Sequence, residues 1–163
     1  MKKKSSIFLI GIAVACIIFA LDQWSKELVL GLPALTVYNH IEITSFFNIA
    51  LVMNRGVSFG MFSEHNQPVI LICVAAIIIS ILLVWLWRNS SLVVALGIGS
   101  AIGGAVGNVV DRIRYGAVVD FLDFHIADLH WPAFNIADSF VFIGVVVLCI
   151  YSMFFEEKTD PRN

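Results

Sequence analysis

A chain of 163 residues that is 60% hydrophobic and 13% charged, with a mean hydropathy of +0.92, is too apolar for a soluble globular domain and long enough for only a few membrane crossings. The formal net charge is -2, and the Lys and Arg residues form no stripe able to follow a phosphate backbone, so nucleic acid is not an expected partner. Cys16, Cys73 and Cys149 each lie in an apolar run without a second Cys or a His at ligand spacing, which excludes a disulfide framework and a zinc site; they read as small buried hydrophobes.

Lys2, Lys3 and Lys4 followed by an apolar run imitate a secretory signal, and Ala13-Val14-Ala15-Cys16 imitates a lipoprotein cleavage site. The run continues through Ile17-Ile18-Phe19, however, where a mature lipoprotein would carry a polar tether, so an uncleaved first span is predicted over residues 7–26. Its leading lysines place the N-terminus in the cytoplasm. Asp22 and Lys26 are i and i+4 at the far end, either a helix-surface ion pair or part of a site.

Residues 41–62 are apolar enough to imitate a span but carry Asn48, Asn54 and Arg55, and Ile41, Glu42, Ile43 and Thr44 alternate with period two. Strands joined by a turn at Asn54-Arg55-Gly56 are predicted, within an extracytoplasmic β region over 36–62; a helix is the alternative. If the region does not cross, every polar cluster of the chain falls on one membrane face, where buried polar groups can satisfy one another.

A second span is predicted over 68–87, opening on Pro68 and closing on Trp85 and Trp87 at interfacial depth, with Arg88 to Ser91 as the cytoplasmic turn. In the third, over 92–112, Gly99, Gly103 and Gly107 make a smooth stripe for close helix packing. One turn further stands Asp111, and the neighbouring row ends in Asn108 and Arg112. Residues 113–134 read as an outer loop, with Gly116 stopping the helix. Asp120, Asp123, His125, Asp128 and His130 lie there without a fixed ligand pattern, so neither a metal nor another cofactor is expected. The fourth span is predicted over 138–155, and the tail returns to the cytoplasm.

Asn135 and Asp138 have the i, i+3 spacing of an N-cap with an acid at N3, which gives Asp138 a capping role. Asp120, between Val118-Val119 and Phe121-Leu122, has no such local explanation. Should the two carboxylates meet at the membrane surface they would share a proton, the arrangement of an aspartic protease. The rival reading is a transporter with Asp22, Asp111, Asp120 and Asp138 as a proton relay, but these acids crowd at one end rather than through the membrane's depth.

Five ordered motifs resemble those of the bacterial lipoprotein signal peptidases (signal peptidase II): Asp22 to Lys26, Asn54 to Phe59, Gly103 to Arg112, Val118 to Phe121 and Phe134 to Ser139. The resemblance covers nearly the whole chain. It implies an all-α membrane protein of four transmembrane helices with a small extracytoplasmic β-sheet, and the length and composition make that a single integral membrane domain. It also implies an aspartic endopeptidase cleaving diacylglyceryl-modified prolipoproteins just before the lipidated cysteine, with Asp120 and Asp138 catalytic. Asp22, Lys26, Asn54, Gly56, Asn108, Arg112 and Asn135 match family positions that shape or support the site. The chain departs from the pattern at Val57-Ser58, where the family often has small alanine-like residues. The expected partners are the lipid-modified substrate and membrane lipid. A monomer is expected in the bacterial inner membrane, with both termini cytoplasmic and the site extracytoplasmic.

Overall fold

The computed structural model describes residues 2–36, 39–56 and 68–155. Among them are four long helices, α1 (Lys2–Leu30), α2 (Pro68–Arg88), α3 (Leu92–Tyr115) and α4 (Ile136–Phe155), each with a stretch long and apolar enough to cross a membrane. Four strands, β1 (His40–Thr44), β2 (Phe47–Asn54), β3 (Val118–Ile126) and β4 (Leu129–His130), form one antiparallel sheet in the order β1-β2-β3-β4.

α3 is the central post. Its glycines have no side chain because neighbouring backbone occupies the space: a Cβ on Gly99 or Gly103 would strike the carbonyl oxygens of Gly11 or Ala15 in α1, and one on Gly104 would strike that of Ala137 in α4. Close approach of this kind is how helices associate in lipid, where the hydrophobic effect gives no preference for a helix neighbour over an acyl chain. Gly144 of α4 answers with its own near-contact to Gly97. α2, by contrast, is mostly open to its surroundings and packs chiefly through Leu86 into the cluster of Ile7, Val94, Ala95 and Ile98. Gly116 ends α3 in the left-handed conformation at φ 67, its N–H returning to the Arg112 carbonyl, as the sequence predicts.

Three expectations need correction. The turn between the first two strands falls at Ser45-Phe46 rather than at Asn54-Arg55-Gly56; Asn54 ends β2 instead. Residues 113–134 are not a loop, since β3 and β4 complete the sheet there. Period-two alternation is missing from β3 because Val118 to Phe121 are buried on both faces, so the strand reads as a plain apolar run. The cysteines are exposed on outer faces of α1, α2 and α4 rather than buried, which an apolar side chain facing hydrocarbon tolerates equally well. Val57, Ser58 and the remainder of the expected β region to residue 62, and the tail from residue 156, lie outside the described residues.

Candidate active site

The end of α1, the end of α3 and the start of α4 meet beside the sheet, and there the polar side chains are buried. Asn135 caps α4: its Oδ1 accepts the Asp138 N–H at 2.9 Å, and the Asp138 Oδ2 accepts the Asn135 N–H at 3.2 Å. This reciprocal pair satisfies two backbone donors that a helix start leaves open. Capping uses only one oxygen of Asp138. The other accepts the Asn108 Nδ2 at 2.8 Å, from α3.

Asp120 arrives from β3, and a bulge in β2 decides what it meets. The register runs Ile49 opposite Leu122, then Val52 opposite Asp120, so β2 carries one extra residue. Without that residue Asn54 would lie on the opposite sheet face, because strand side chains alternate. With it, Asn54 stands opposite Val118, diagonal to Asp120 on the same face, and donates to Asp120 Oδ2 at 2.9 Å. Gly56, at φ 111, lets the chain turn so that its N–H reaches Asn54 Oδ1 at 3.0 Å, aiming the amide's NH₂ at the acid. The Asn135 Nδ2 donates to the second oxygen, Oδ1, at 2.7 Å. Asn135 therefore touches both aspartates, Asp120 through its side chain and Asp138 through its side chain and its backbone.

Burial pushes the Asp120 carboxyl up from 3.8 to about 6, and the neighbouring charge of Asp138 acts in the same direction against the hydrogen bonds from Asn54 and Asn135. Asp120 is 1% exposed, whereas Asp138 is partly open. The two acids thus share one site but not one environment, the condition under which one holds a proton while the other does not.

A family model described as signal peptidase (SPase) II matches residues 14–154. The lipoprotein signal peptidase of Desulforapulum autotrophicum is 39% identical over 153 residues, covering 90% of this chain and 93% of its own. That of Anaplasma phagocytophilum is 40% identical over 140 residues, covering 85% and 88%. The chain belongs to the signal peptidase II family. A solved structure of a bacterial membrane enzyme, determined by the in meso method at 2.3 Å resolution, superposes with a TM-score of 0.79 at 27% identity and 92% coverage of both chains. A chain of the signal peptidase II family is a membrane-embedded peptidase, a hydrolase that processes lipoproteins, and this one is multi-pass.

The geometry brings together all nine residues that the sequence motifs single out. Asp120 and Asp138 are joined through Asn135; Asn54 and Gly56 attach at Asp120, and Asn108 at Asp138. Arg112 donates to the Asn108 carbonyl at 3.1 Å, while its Nε is buried without a partner among the described residues. Lys26 reaches Asn108 Oδ1 at 3.1 Å and Asp22 Oδ2 at 2.8 Å.

Two residues outside those nine belong to the same signal peptidase II network. Asp111 pairs with Lys26 at 2.8 Å, and Gln23 bonds Asp111 at 3.0 Å and Asp22 at 3.2 Å. Both stand inside the motif stretches, Asp111 one turn beyond Gly107 and Gln23 next to Asp22, but nothing in the sequence pointed to the contact between Gln23 and Asp111, 88 positions apart. A separate cluster occupies the other face of the sheet: Asp123 accepts from Asn48 at 3.0 Å and pairs with His130 at 2.8 Å. Burial alone would raise the Asp123 carboxyl, but the bonds from His130 and Asn48 outweigh it and hold the acid below its ordinary range.

Proposed function

We propose that Asp120 and Asp138 are the catalytic pair of an aspartic endopeptidase that cleaves diacylglyceryl-modified prolipoproteins just before the lipidated cysteine. The observation that carries this reading is the convergence of two acids, from a strand and from a helix start, on the one amide residue Asn135, with the more deeply buried acid raised to about 6. The ionised acid takes a proton from a water molecule as its oxygen attacks the scissile carbonyl. The protonated acid donates to the carbonyl oxygen, and the pair then returns a proton to the departing amine, so that the protons balance over one turnover. The Arg112 Nε, without a partner among the described residues, supports a donor role toward substrate backbone or developing negative charge.

A lipid-anchored substrate suits such a site. Its acyl chains stay in the bilayer while the scissile bond meets the acids, so orientation comes from the anchor. The site opens on the extracytoplasmic face of the bacterial inner membrane, both termini lie in the cytoplasm, and the enzyme works as a monomer without a metal. The leading Lys2, Lys3 and Lys4 support that orientation.

The test is cleavage of a lipidated prolipoprotein by purified Asp138→Asn protein. The variant is expected to fold and bind substrate but not to cleave; ordinary turnover would refute the pair. A cysteine label at Asn39 is expected to react from the outside, and reaction from the cytoplasm alone would overturn the orientation.

A further inference from the structure

Lys26 is 2% exposed, and three acceptors take its ammonium: Asp22 Oδ2 at 2.8 Å, Asp111 Oδ2 at 2.8 Å and Asn108 Oδ1 at 3.1 Å. A local ion pair would need only the first. Each of the three passes its contact on to the chain at, or one residue before, an acid of the pair. Asp22 Oδ1 accepts the N–H of Ala137 at 2.9 Å, next to Asp138. Asp111 Oδ2 accepts the N–H of Val119 at 3.1 Å, next to Asp120. Asn108 donates to Asp138 itself at 2.8 Å.

We propose that Lys26, with Asp22, Asp111 and Asn108, is a positioning unit that sets the spacing of Asp120 and Asp138 and keeps Asp138 ionised, leaving the shared proton on Asp120. This rests on the reading of those two acids as the catalytic pair. The physical basis is donor polarity. An ammonium donates and cannot accept, so Asn108 must turn its oxygen to Lys26 and its NH₂ to Asp138. The other Asp138 oxygen faces the Asn135 backbone N–H at the positive end of α4. Both oxygens therefore meet groups that only donate, one of them an amide polarised by a buried cation.

Asp120 receives its hydrogen bonds from two neutral side-chain amides and is the more buried acid. Among the charged side chains, Arg112 of α3 and Asp120 of β3 interact with Asp138 electrostatically; Lys26 of α1 reaches it through Asn108, and Asp22 of α1 and Asp111 of α3 face Lys26, whose charge also acts on Asp120, against the effect of burial. Asp138, partly open, is also the acid that water reaches, as the base that activates it requires.

The test uses the full chain, with kcat and KM followed against pH for Asp111→Asn, Lys26→Met and the double variant. An Asn at 111 can keep its oxygen on both Lys26 and the Val119 N–H, which meet Asp111 at Oδ2, but it removes the charge opposite the ammonium and turns its NH₂ toward the Gln23 donor at Oδ1, which loosens the anchor of the strand carrying Asp120. Each single variant is expected to lose about 10- to 100-fold in kcat with KM within about threefold; Lys26→Met, which removes the cation, is expected to move the acidic limb of the kcat profile to higher pH, and Asp111→Asn, which leaves that cation with one carboxylate fewer, is not. The double variant, which leaves neither Lys26 nor Asp111 as a buried charge without its partner, is expected to be no worse than the poorer single. A loss in KM alone, an acidic limb that Lys26→Met leaves unmoved, or losses that multiply in the double variant would overturn the proposal. Should these variants fail to fold, infrared spectra of Asp120→Asn and Asp138→Asn, measured against the parent protein, decide it. The band of a protonated carboxyl is expected to vanish in the first and persist in the second, and the reverse would refute the assignment. Normal turnover by either Asn variant would instead defeat the catalytic pair itself.

Discussion

Replacing Asp120 by Asn perturbs stability and turnover in opposite ways at different pH. In the parent protein, displacement of the carboxyl from 3.8 to about 6 means that the folded state favours the protonated acid. Stability is therefore highest below pH 3.8 as far as this group is concerned, and is lost as pH rises through about 6. At roughly 1.4 kcal/mol per pH unit the loss comes to about 3 kcal/mol. Asn at 120 has no proton to lose, so this slope should disappear. It does introduce a conflict, because Asn54 and Asn135 both donate to the side chain at 120 and an amide accepts on one atom only. A buried donor left without an acceptor costs roughly 1–3 kcal/mol.

Asp120→Asn should therefore unfold at lower temperature than the parent at pH 4.5 and draw level with it, or pass it, by pH 8. For a chain of this size 1 kcal/mol is roughly 2–4 °C in Tm. Thermal unfolding of both proteins in detergent across this range measures the difference directly, and the same samples should show cleavage reduced by at least about 10²-fold throughout. A Tm difference independent of pH would refute the burial argument, and retained cleavage would refute the role of the acid.

Gly107→Ala places a methyl group against the Asp22 carboxylate, so activity should fall at least tenfold with little change in expression, as a lipoprotein-processing assay would reveal. Gly116→Ala meets no neighbouring atom but must hold φ 67, so it should lower stability by about 1–2 kcal/mol while leaving KM unchanged; inactivity at full stability would contradict this. Asn135→Ala removes the cap of α4 and one hydrogen bond to Asp120, and should destabilise the chain by about 1–3 kcal/mol and reduce kcat, with a kcat at the parent level counting against the bridging role. His130→Ala removes contacts to Asp123 and to the stacked His125 ring, away from the two acids, and cleavage should stay within about threefold of the parent.

Sequence order carried much of this protein's design. Apolar run length determined four crossings, because hydrocarbon thickness sets a minimum helix length whatever the neighbours are. The period-four glycines announced a closely packed α3, and Asn135 with Asp138 announced a capped helix start, since both patterns act within one helix. Strand β3 was hidden, because a segment buried on both faces loses the alternation that marks a strand. The facing of Asn54 was hidden too: it depends on a single extra residue in β2, opposite a partner strand more than sixty positions away. Lys26 shows the division most clearly. Its spacing from Asp22 left two readings open, a surface pair worth a few tenths of a kcal/mol, as a solvated i, i+4 contact provides, or part of a site. Only the tertiary structure removed water from the pair and brought Asp111 and Asn108 onto the same ammonium. Spacing along one helix is a local property, but burial and the direction in which an amide donates are set by every element packed around it.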